Sequence, residues 1–589
     1  MPGNQPFEPQ ETIDSSTLEG KVLCGYQGWF RKPGDGGFQT QKTIWDGEKG
    51  EWINVPNDDD RAMRWSSWNR RGVPRLDESG KPQVTVEMYP DVYEYPPECV
   101  EKSELPDFPD GRPAVFYSAY REETIDLHFK WMREYGIDGV SLERFLVSAL
   151  WDTDHNNKVV SSIRNACEKY GRVFIICYDM SGSDNADYVE SFKADFEENL
   201  ERKLDLFSSE RYLRHEGKPV VQIWGMGVIP NYKRKPDESL EILRFLKEKG
   251  YYIIGGTPTG WRGGTLKDKF KDTSDGFEKV FACMDTISPW TVGRFKTPGE
   301  AATHYGETIA ADDEFLKKSG QGHMPVIYPG FAWSLWNGGE VNAVPRIAGE
   351  FMKKQMDLVR GLKPLAVYAA MFDEYNEATV LAKTASDSSE IPAGTYFLTL
   401  SADGTYVSSD YYLRLTGAFT KSFRERKGDP LSVALSTGPR WFVSGFEEGM
   451  DPMPQEDSYG VNSGRWASAV VTQGKARSGK YALRVTDGPL VRLIHKIGAT
   501  VSGNTFLSYY VNHDGRAADV LVDCVLDGDE RLSSLTGPFY SDAGSPGVWQ
   551  KIEVRVGGAA KGRRIEYLTV SRSENGGEAF IDDIRLEDR

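Results

Sequence analysis

Glu374 and Glu377 lie three residues apart in the run Asp373-Glu374-Tyr375-Asn376-Glu377, directly after the apolar stretch from Ala366 to Phe372. An i, i+3 glutamate pair within a charged helix is usually solvated and inert. Here the carboxylates end a strand-length apolar run instead. If that strand belongs to a β/α barrel, its C-terminal end is the face on which such folds assemble active sites. Two carboxylates held there suit acid and base work on a glycosidic bond, one protonating the leaving oxygen while the other takes up a proton or attacks.

Elements to position this pair can be followed along the chain. The apolar runs 22–26, 137–142, 173–178, 220–224, 251–255, 284–288, 325–328 and 366–372 read as eight strands. Amphipathic spacing predicts helices over 122–135, 159–169, 185–206, 237–249, 300–318 and 346–361, with Gly136 and Gly250 as stop signals. No clear helix is legible between Gly260 and Lys279. Eight strands alternating with helices are the count of an α/β protein of the (β/α)8 TIM-barrel class. An open doubly wound sheet would want a glycine-rich phosphate turn, and the stretch from Gly255 to Gly260 lacks both its spacing and a following helix.

On that arrangement the strand ends gather polar and aromatic residues on one face, among them Gln27, Glu143 and Arg144. The candidate substrate-binding residues are Tyr26, Trp29, Tyr178, Asp179, Trp224, Trp290, Arg294, Tyr328, Trp333, Arg346, Tyr375 and Asn376. His128, on the first helix, reads equally as a support beside the substrate and as a core histidine. A rim of Trp, Tyr, Arg and carboxylate fits a sugar-binding cleft, in which rings stack on aromatic faces and charged groups hold hydroxyls. Residues 30–114 read as a long insertion after the first strand, over the barrel mouth. Trp45, Trp52, Trp65 and Trp68 lie in it with Tyr89, Tyr93 and Tyr95, most of them expected to pack the insertion itself.

Composition narrows the partners. The formal net charge of −17 argues against nucleic acid or an anionic membrane surface. No apolar run approaches the roughly 18 residues of a membrane span. No secretion signal is visible at Met1, and a secreted, periplasmic or cell-surface protein with its signal removed would look the same. The six cysteines, at 24, 99, 167, 177, 283 and 524, show neither a disulfide framework nor a zinc spacing. No cofactor or catalytic metal is expected; Asp58-Asp59-Asp60 reads first as a solvated turn and second as a structural calcium site.

Several stretches together resemble glycoside hydrolase family 99, the endo-α-mannosidases, and the related family 71. Tyr117-Ser118, then Ile125, His128, Met132 and Gly136-Ile137-Asp138, is similar to that family's helix leading into its second strand. Pro325 through Phe331, then Pro345-Arg346, is similar to its seventh-strand region, and Asp373-Glu374-Tyr375-Asn376-Glu377 to its catalytic run. The resemblance implies a retaining α-glycosidase acting on an oligo- or polysaccharide, with no covalent enzyme intermediate. Glu374 would deprotonate the sugar's own 2-hydroxyl, which closes a 1,2-anhydro sugar, and Glu377 would protonate the leaving oxygen and later activate water. Asn376 stands where the family has His, Asp373 where it has Asn, and Phe331 where a Tyr is expected. A catalytically silent glycan-binding protein is the alternative.

The barrel is expected over 1–384, followed at 385–439 by a small β extension containing strands near 394–400 and 411–416. From 440 to 589, short alternating strands and turn signals predict a β-sandwich. Phe446-Glu447, the run from Ser478 to Val485, Trp549 and the run from Phe580 to Ile584 resemble carbohydrate-binding jelly rolls.

Overall fold

The computed structural model describes residues 12–588 except 36–40, 47–50, 57–64, 70–72, 109–110, 182–186, 229–234, 265–275, 437–439, 445–468, 474, 478–480, 487, 493–498, 514–519, 539–545 and 573–577. The aspartates at 58–60 lie outside the described residues.

Eight parallel strands close a ring. They are β1 (Val22–Tyr26), β2 (Gly139–Phe145), β3 (Val173–Asp179), β4 (Lys218–Trp224), β5 (Tyr252–Thr257), β6 (Thr286–Pro289), β7 in two pieces (Gly322–His323 and Val326–Ile327) and β8 (Val367–Ala369). Each pairs with its successor, and β8 pairs back onto β1 in the register Val22↔Val367. The two pieces of β7 divide the closure, the first bonding to β6 and the second to β8. Between them Met324 N–H donates to the Ile287 carbonyl at 2.9 Å, and the Pro325 carbonyl accepts from Tyr368 N–H at 3.0 Å. Strands covered on both faces read as continuous apolar runs, which is why these eight were legible.

Around the ring run α1 (Glu122–Tyr135), α2 (Thr153–Tyr170), α3 (Tyr188–Asp195), α4 (Pro236–Glu248), α5 (Glu278–Ala282), α6 (Pro298–His304), α7 (Glu350–Leu362) and α8 (Tyr411–Arg424). Beyond α3 the helix runs on in widened turns over Phe196–Lys203, and beyond α6 over Tyr305–Ile309 before resuming at Ala310–Ser319. The short α5 falls at the end of the stretch where no helix was legible.

The last helix corrects the sequence reading, which placed a strand at 411–416. Tyr411, Leu415, Phe419 and Phe423 recur every fourth residue and are all buried, so they form one helical face. Burying such side chains stabilises by roughly 1.5–3 kcal/mol each, more than the β preference of two adjacent tyrosines, which spans only about 1 kcal/mol. This face joins the barrel's own core, as do Ile391, Phe397 and Val407, so that core continues past Lys383. Arg424 pairs with the buried Asp138 at the start of β2.

Among the described residues of the insertion and the strand that follows it, three short antiparallel pairs form, Gln41–Asp46 with Glu51–Pro56, Arg75–Leu76 with Pro82–Gln83, and Val100–Lys102 with Val115–Tyr117; Trp45 and Trp52 lie on the first. Trp65, Trp68, Tyr89 and Tyr95 are buried, and Trp68 donates its indole N–H to the Tyr117 carbonyl at 2.8 Å. They pack the insertion, as expected; Tyr93 is exposed. In the C-terminal region two antiparallel sheets enclose a second core that includes Leu507, Val522, Leu568 and Ile581, the layering of a β-sandwich. Among the described residues no helix is long and apolar enough to cross a membrane.

Candidate active site

The loop that carries Glu374 and Glu377 leaves β8 and is pinned to the end of β1. Asp373 is fully enclosed; its Oδ1 accepts from Gln27 N–H at 2.6 Å and its Oδ2 from Gly28 N–H at 2.9 Å. Gly28 presents that N–H from a left-handed conformation, φ +63°, where a Cβ would come within 2.8 Å of Val159. Burial pushes the Asp373 carboxyl up to about 7, and the two N–H donors hold it from going further.

Glu374 is only 7% exposed, and Glu377 is partly exposed. Burial, then the charges of Glu377 and Asp373, push Glu374 well above the usual carboxylate range, and burial takes Glu377 up to about 7. Carboxyls that act on one another in this way do not ionise independently: the pair takes up its first proton at a pH where solvated glutamates are bare. The Gln27 side chain favours the ionised form of Glu374, while the backbone carbonyl of Glu377 accepts from Ala332 N–H at 3.0 Å on the β7 side.

A third glutamate joins them. Glu143, at the end of β2, accepts from the Tyr368 hydroxyl at 2.8 Å. Tyr368 reaches it across β1, over Gly25, where any side chain would collide with the phenol oxygen. Burial, then the charge of Asp179 on β3, pushes Glu143 up to about 8. Sequence analysis placed Glu143 on the strand-end face without a role; its place at the first polar step after an apolar run is the signal that could have singled it out.

Next to Gln27 and Glu143 opens a cavity of about 220 Å³, also lined by Trp29, Phe145, Asp152 and His155. This is small for a ligand pocket, for which about 300–1,000 Å³ is usual. Trp29 stacks on Phe145 with centroids 5.4 Å apart. Further round the mouth, Trp224 meets Trp290 edge-on at 5.6 Å, and Trp290 meets Tyr368 at 6.1 Å. The indole N–H groups of Trp29 and Trp224 and the Gln27 Oε1 are buried without a partner among the described residues. Buried polar atoms left in that state near one mouth are what an arriving hydroxylated ligand or ordered water satisfies.

The remaining candidates separate into rim and support. Asp179 is buried at the mouth and accepts from Ser181 N–H at 2.6 Å; Arg294 is exposed on the loop after β6. Trp333 is 36% exposed beside Phe331 and Trp336. Tyr26 and Tyr375 are closed off from solvent, which corrects their assignment as sugar contacts; His128 is closed off too, which removes it from the substrate-binding set and leaves its reading as a core histidine. His128 bridges the hydroxyls of Tyr26 at 2.7 Å and Tyr95 at 2.6 Å, and burial pushes its imidazole down to about 3, so it stays neutral. Tyr178, Tyr328 and Arg346 are corrected likewise. Tyr178 donates to Asp195 at 2.6 Å, Tyr328 to the Phe295 carbonyl at 2.6 Å, and Arg346 to the carbonyls of Ala378 and Val380 at 2.8 and 2.7 Å. Alternate residues of a strand face opposite sides, so a strand-end position alone does not aim a side chain at the mouth. Asn376 is buried too, its amide donating to the carbonyls of Ser67 and Thr85, which ties the glutamate-bearing loop to the insertion.

No family model and no curated protein matches the chain. Among solved structures it is similar to the GH99 endo-alpha-mannosidase from Bacteroides thetaiotaomicron, at 16% identity and a TM-score of 0.45, over 70% of this chain and 99% of that one. It is also similar to a glycoside hydrolase-like protein, at 14% identity and a TM-score of 0.36, over 60% and 98% of the two chains. Likeness over 26% of this chain is to the CBM22-1 xylan-binding domain from Paenibacillus barcinonensis Xyn10C, 95% of which is covered, at 15% identity and a TM-score of 0.18.

Proposed function

We propose that this chain is a glycoside hydrolase that cleaves α-linked, α-mannoside-like glycans, with Glu374 and Glu377 as the working carboxylates. One observation carries the proposal: Glu374, buried, and Glu377, partly exposed, both raised above the ordinary range, stand on the loop that leaves the last strand of a closed barrel, whose neighbouring strand ends, Gln27 and Glu143, line a cavity that also holds Trp29 and Phe145. Keeping one carboxyl protonated and the other ionised near neutral pH is what acid and base catalysis at a glycosidic oxygen requires.

At rest the more enclosed Glu374 is the preferred seat of the shared proton. The roles implied by the family resemblance need the other arrangement, with Glu374 ionised and Glu377 protonated. A single proton shift within the pair supplies it, with no net proton taken from solvent. Glu374 then accepts the 2-hydroxyl proton as O2 attacks C1, and Glu377 protonates the departing oxygen as the C1–O bond breaks, leaving a 1,2-anhydro sugar. In the second half Glu377 takes a proton from water as it attacks C1, the C1–O2 bond opens, and Glu374 returns its proton to O2. The product keeps its anomeric configuration. A polymeric glycan of this kind is met outside the cytoplasm, which favours a secreted, periplasmic or cell-surface protein.

The test is a screen of α-manno- and α-gluco-configured oligosaccharides with the wild-type chain, following the product anomer by NMR. Hydrolysis with retention is expected. An inverted product would remove the anhydro-sugar route and keep the pair; binding without turnover on every glycan would leave a silent glycan-binding protein.

A further inference from the structure

We propose that His155, on α2, is a positioning residue for the loop that bears Glu374 and Glu377. It fixes the backbone at Gly28, so that the Gln27 and Gly28 N–H groups hold Asp373 and, through Asp373, set Glu374. The proposal rests on the hydrolase reading above and adds to it a residue outside the glutamate loop.

Gly28 is gripped from two sides. Its N–H donates to Asp373 Oδ2 at 2.9 Å, and its carbonyl lies 3.0 Å from His155 Nε2. A carbonyl can only accept, so Nε2 carries the imidazole proton and donates it; burial keeps the ring neutral, which leaves Nδ1 bare. The N–H belongs to the peptide before the Gly28 Cα and the carbonyl to the peptide after it. Together the two bonds fix φ and ψ at a residue that has no side chain to restrain them.

α2 meets Gly28 a second time. Val159, one turn beyond His155 on the same face of the helix, is the side chain that a Cβ on Gly28 would strike. His155 is itself firmly placed: it is buried in the first turn of α2, and the Tyr120 ring stacks on it with centroids 5.8 Å apart and 19° between the planes.

What this grip governs is the strip around Glu374. Before it, Phe372 N–H donates to the Gly25 carbonyl at 2.7 Å, and Asp373 accepts from Gln27 N–H at 2.6 Å as well as from Gly28. After it, the Tyr375 carbonyl accepts from Glu87 N–H at 2.9 Å. Glu374 is therefore held between two anchored residues, and the first anchor depends on which way the backbone at Gly28 faces. A displacement of about 1 Å at a reacting group can cost roughly a hundredfold in rate, so a bond this far back reaches the chemistry.

The experiment measures hydrogen–deuterium exchange and steady-state kinetics for wild type, His155→Ala, His155→Gln, Asp373→Asn and the double variant of His155→Ala with Asp373→Asn. The glutamine side-chain nitrogen lies as many bonds from Cα as Nε2 does and can donate in its place. His155→Ala is expected to speed exchange in the peptides 27–29 and 372–377 and not in β5. It should also lower kcat on the hydrolysed glycan about tenfold or more with KM nearly unchanged. His155→Gln should restore most of both, and in the Asp373→Asn background His155→Ala should cost little more. Exchange unchanged in those two peptides, or faster throughout the barrel, would overturn the proposal whatever the activity. So would a loss of kcat that glutamine does not restore, or one that adds in full to that of Asp373→Asn. Faster exchange confined to the two peptides, in a protein whose wild type turns over no glycan, would uphold the clamp and remove the hydrolase reading.

Discussion

Tyr368 donates its hydroxyl proton to Glu143 at 2.8 Å, from β8 to β2 across the intervening β1. That bond favours the ionised form of Glu143, whose charge in turn raises Glu374. Replacing Tyr368 with Phe removes it, so Glu143 is neutral over a wider pH range and repels Glu374 less. The acid limb of kcat/KM is expected to move to lower pH in Tyr368→Phe, and further in Glu143→Gln. A limb that stays in place in both would show Glu143 to be electrostatically remote from the pair.

Glu374→Gln and Glu377→Gln are each expected to lower kcat by at least about a hundredfold, the scale of losing a general acid or base. Each substitution also relieves a buried acid, so neither should lower the melting temperature. Near-normal turnover in both variants would exclude the assignment.

The enclosed acids set a direction for stability against pH. Asp373 and Glu377 are raised to about 7 and Glu143 to about 8, so the folded state binds protons that the unfolded chain has already lost. Their stabilising contribution is complete below the unfolded carboxylate range and is lost as pH rises through the folded values. His128 and His155, pushed down to about 3 from 6.5, work the other way, but their contribution is complete above 6.5. Between about 6.5 and 8 only the acids of these two sets still titrate, and unfolding free energy is expected to fall with pH there. Denaturant titrations at pH 6.5, 7.25 and 8 measure this, and Glu143→Gln should flatten the slope.

His128 tests the division between rim and support. In His128→Ala the hydroxyls of Tyr26 and Tyr95 lose their partner in an enclosed site, at about 1–3 kcal/mol for each orphaned group. A clear drop in melting temperature is expected with KM nearly unchanged. Raised KM at normal stability would return His128 to the substrate's surroundings.

Much of the barrel was legible because its strands, buried on both sides, are unbroken apolar runs bounded by glycine-terminated helices. The glutamate pair was legible for the same reason, since charge immediately after such a run marks the open end of a strand. What escaped depended on information a local window lacks. The stretch from Tyr411 to Thr416 alternates acceptably as a strand until Phe419 and Phe423 are counted, and then its period is helical. Tyr178 and Tyr328 sit at the right height but turn their hydroxyls to Asp195 and the Phe295 carbonyl, which depends on the phase of the pleat, and Arg346 is taken up by the carbonyls of Ala378 and Val380. The Tyr368 to Glu143 bond joins residues 225 apart in sequence, and only ring closure brings them together.

That closure has a consequence for how the protein is made. β8 is at once the last stave of the ring and the root of the loop that bears Asp373, Glu374 and Glu377, so a nascent chain halted before Val367 holds seven strands and none of the three acids on which the proposed chemistry rests. Until the final stave docks between β7 and β1, Asp373 has no Gln27 or Gly28 amide to grip and the two glutamates remain hydrated, ordinary acids. Activity should therefore switch on in a single late step of synthesis instead of accumulating as the polypeptide lengthens.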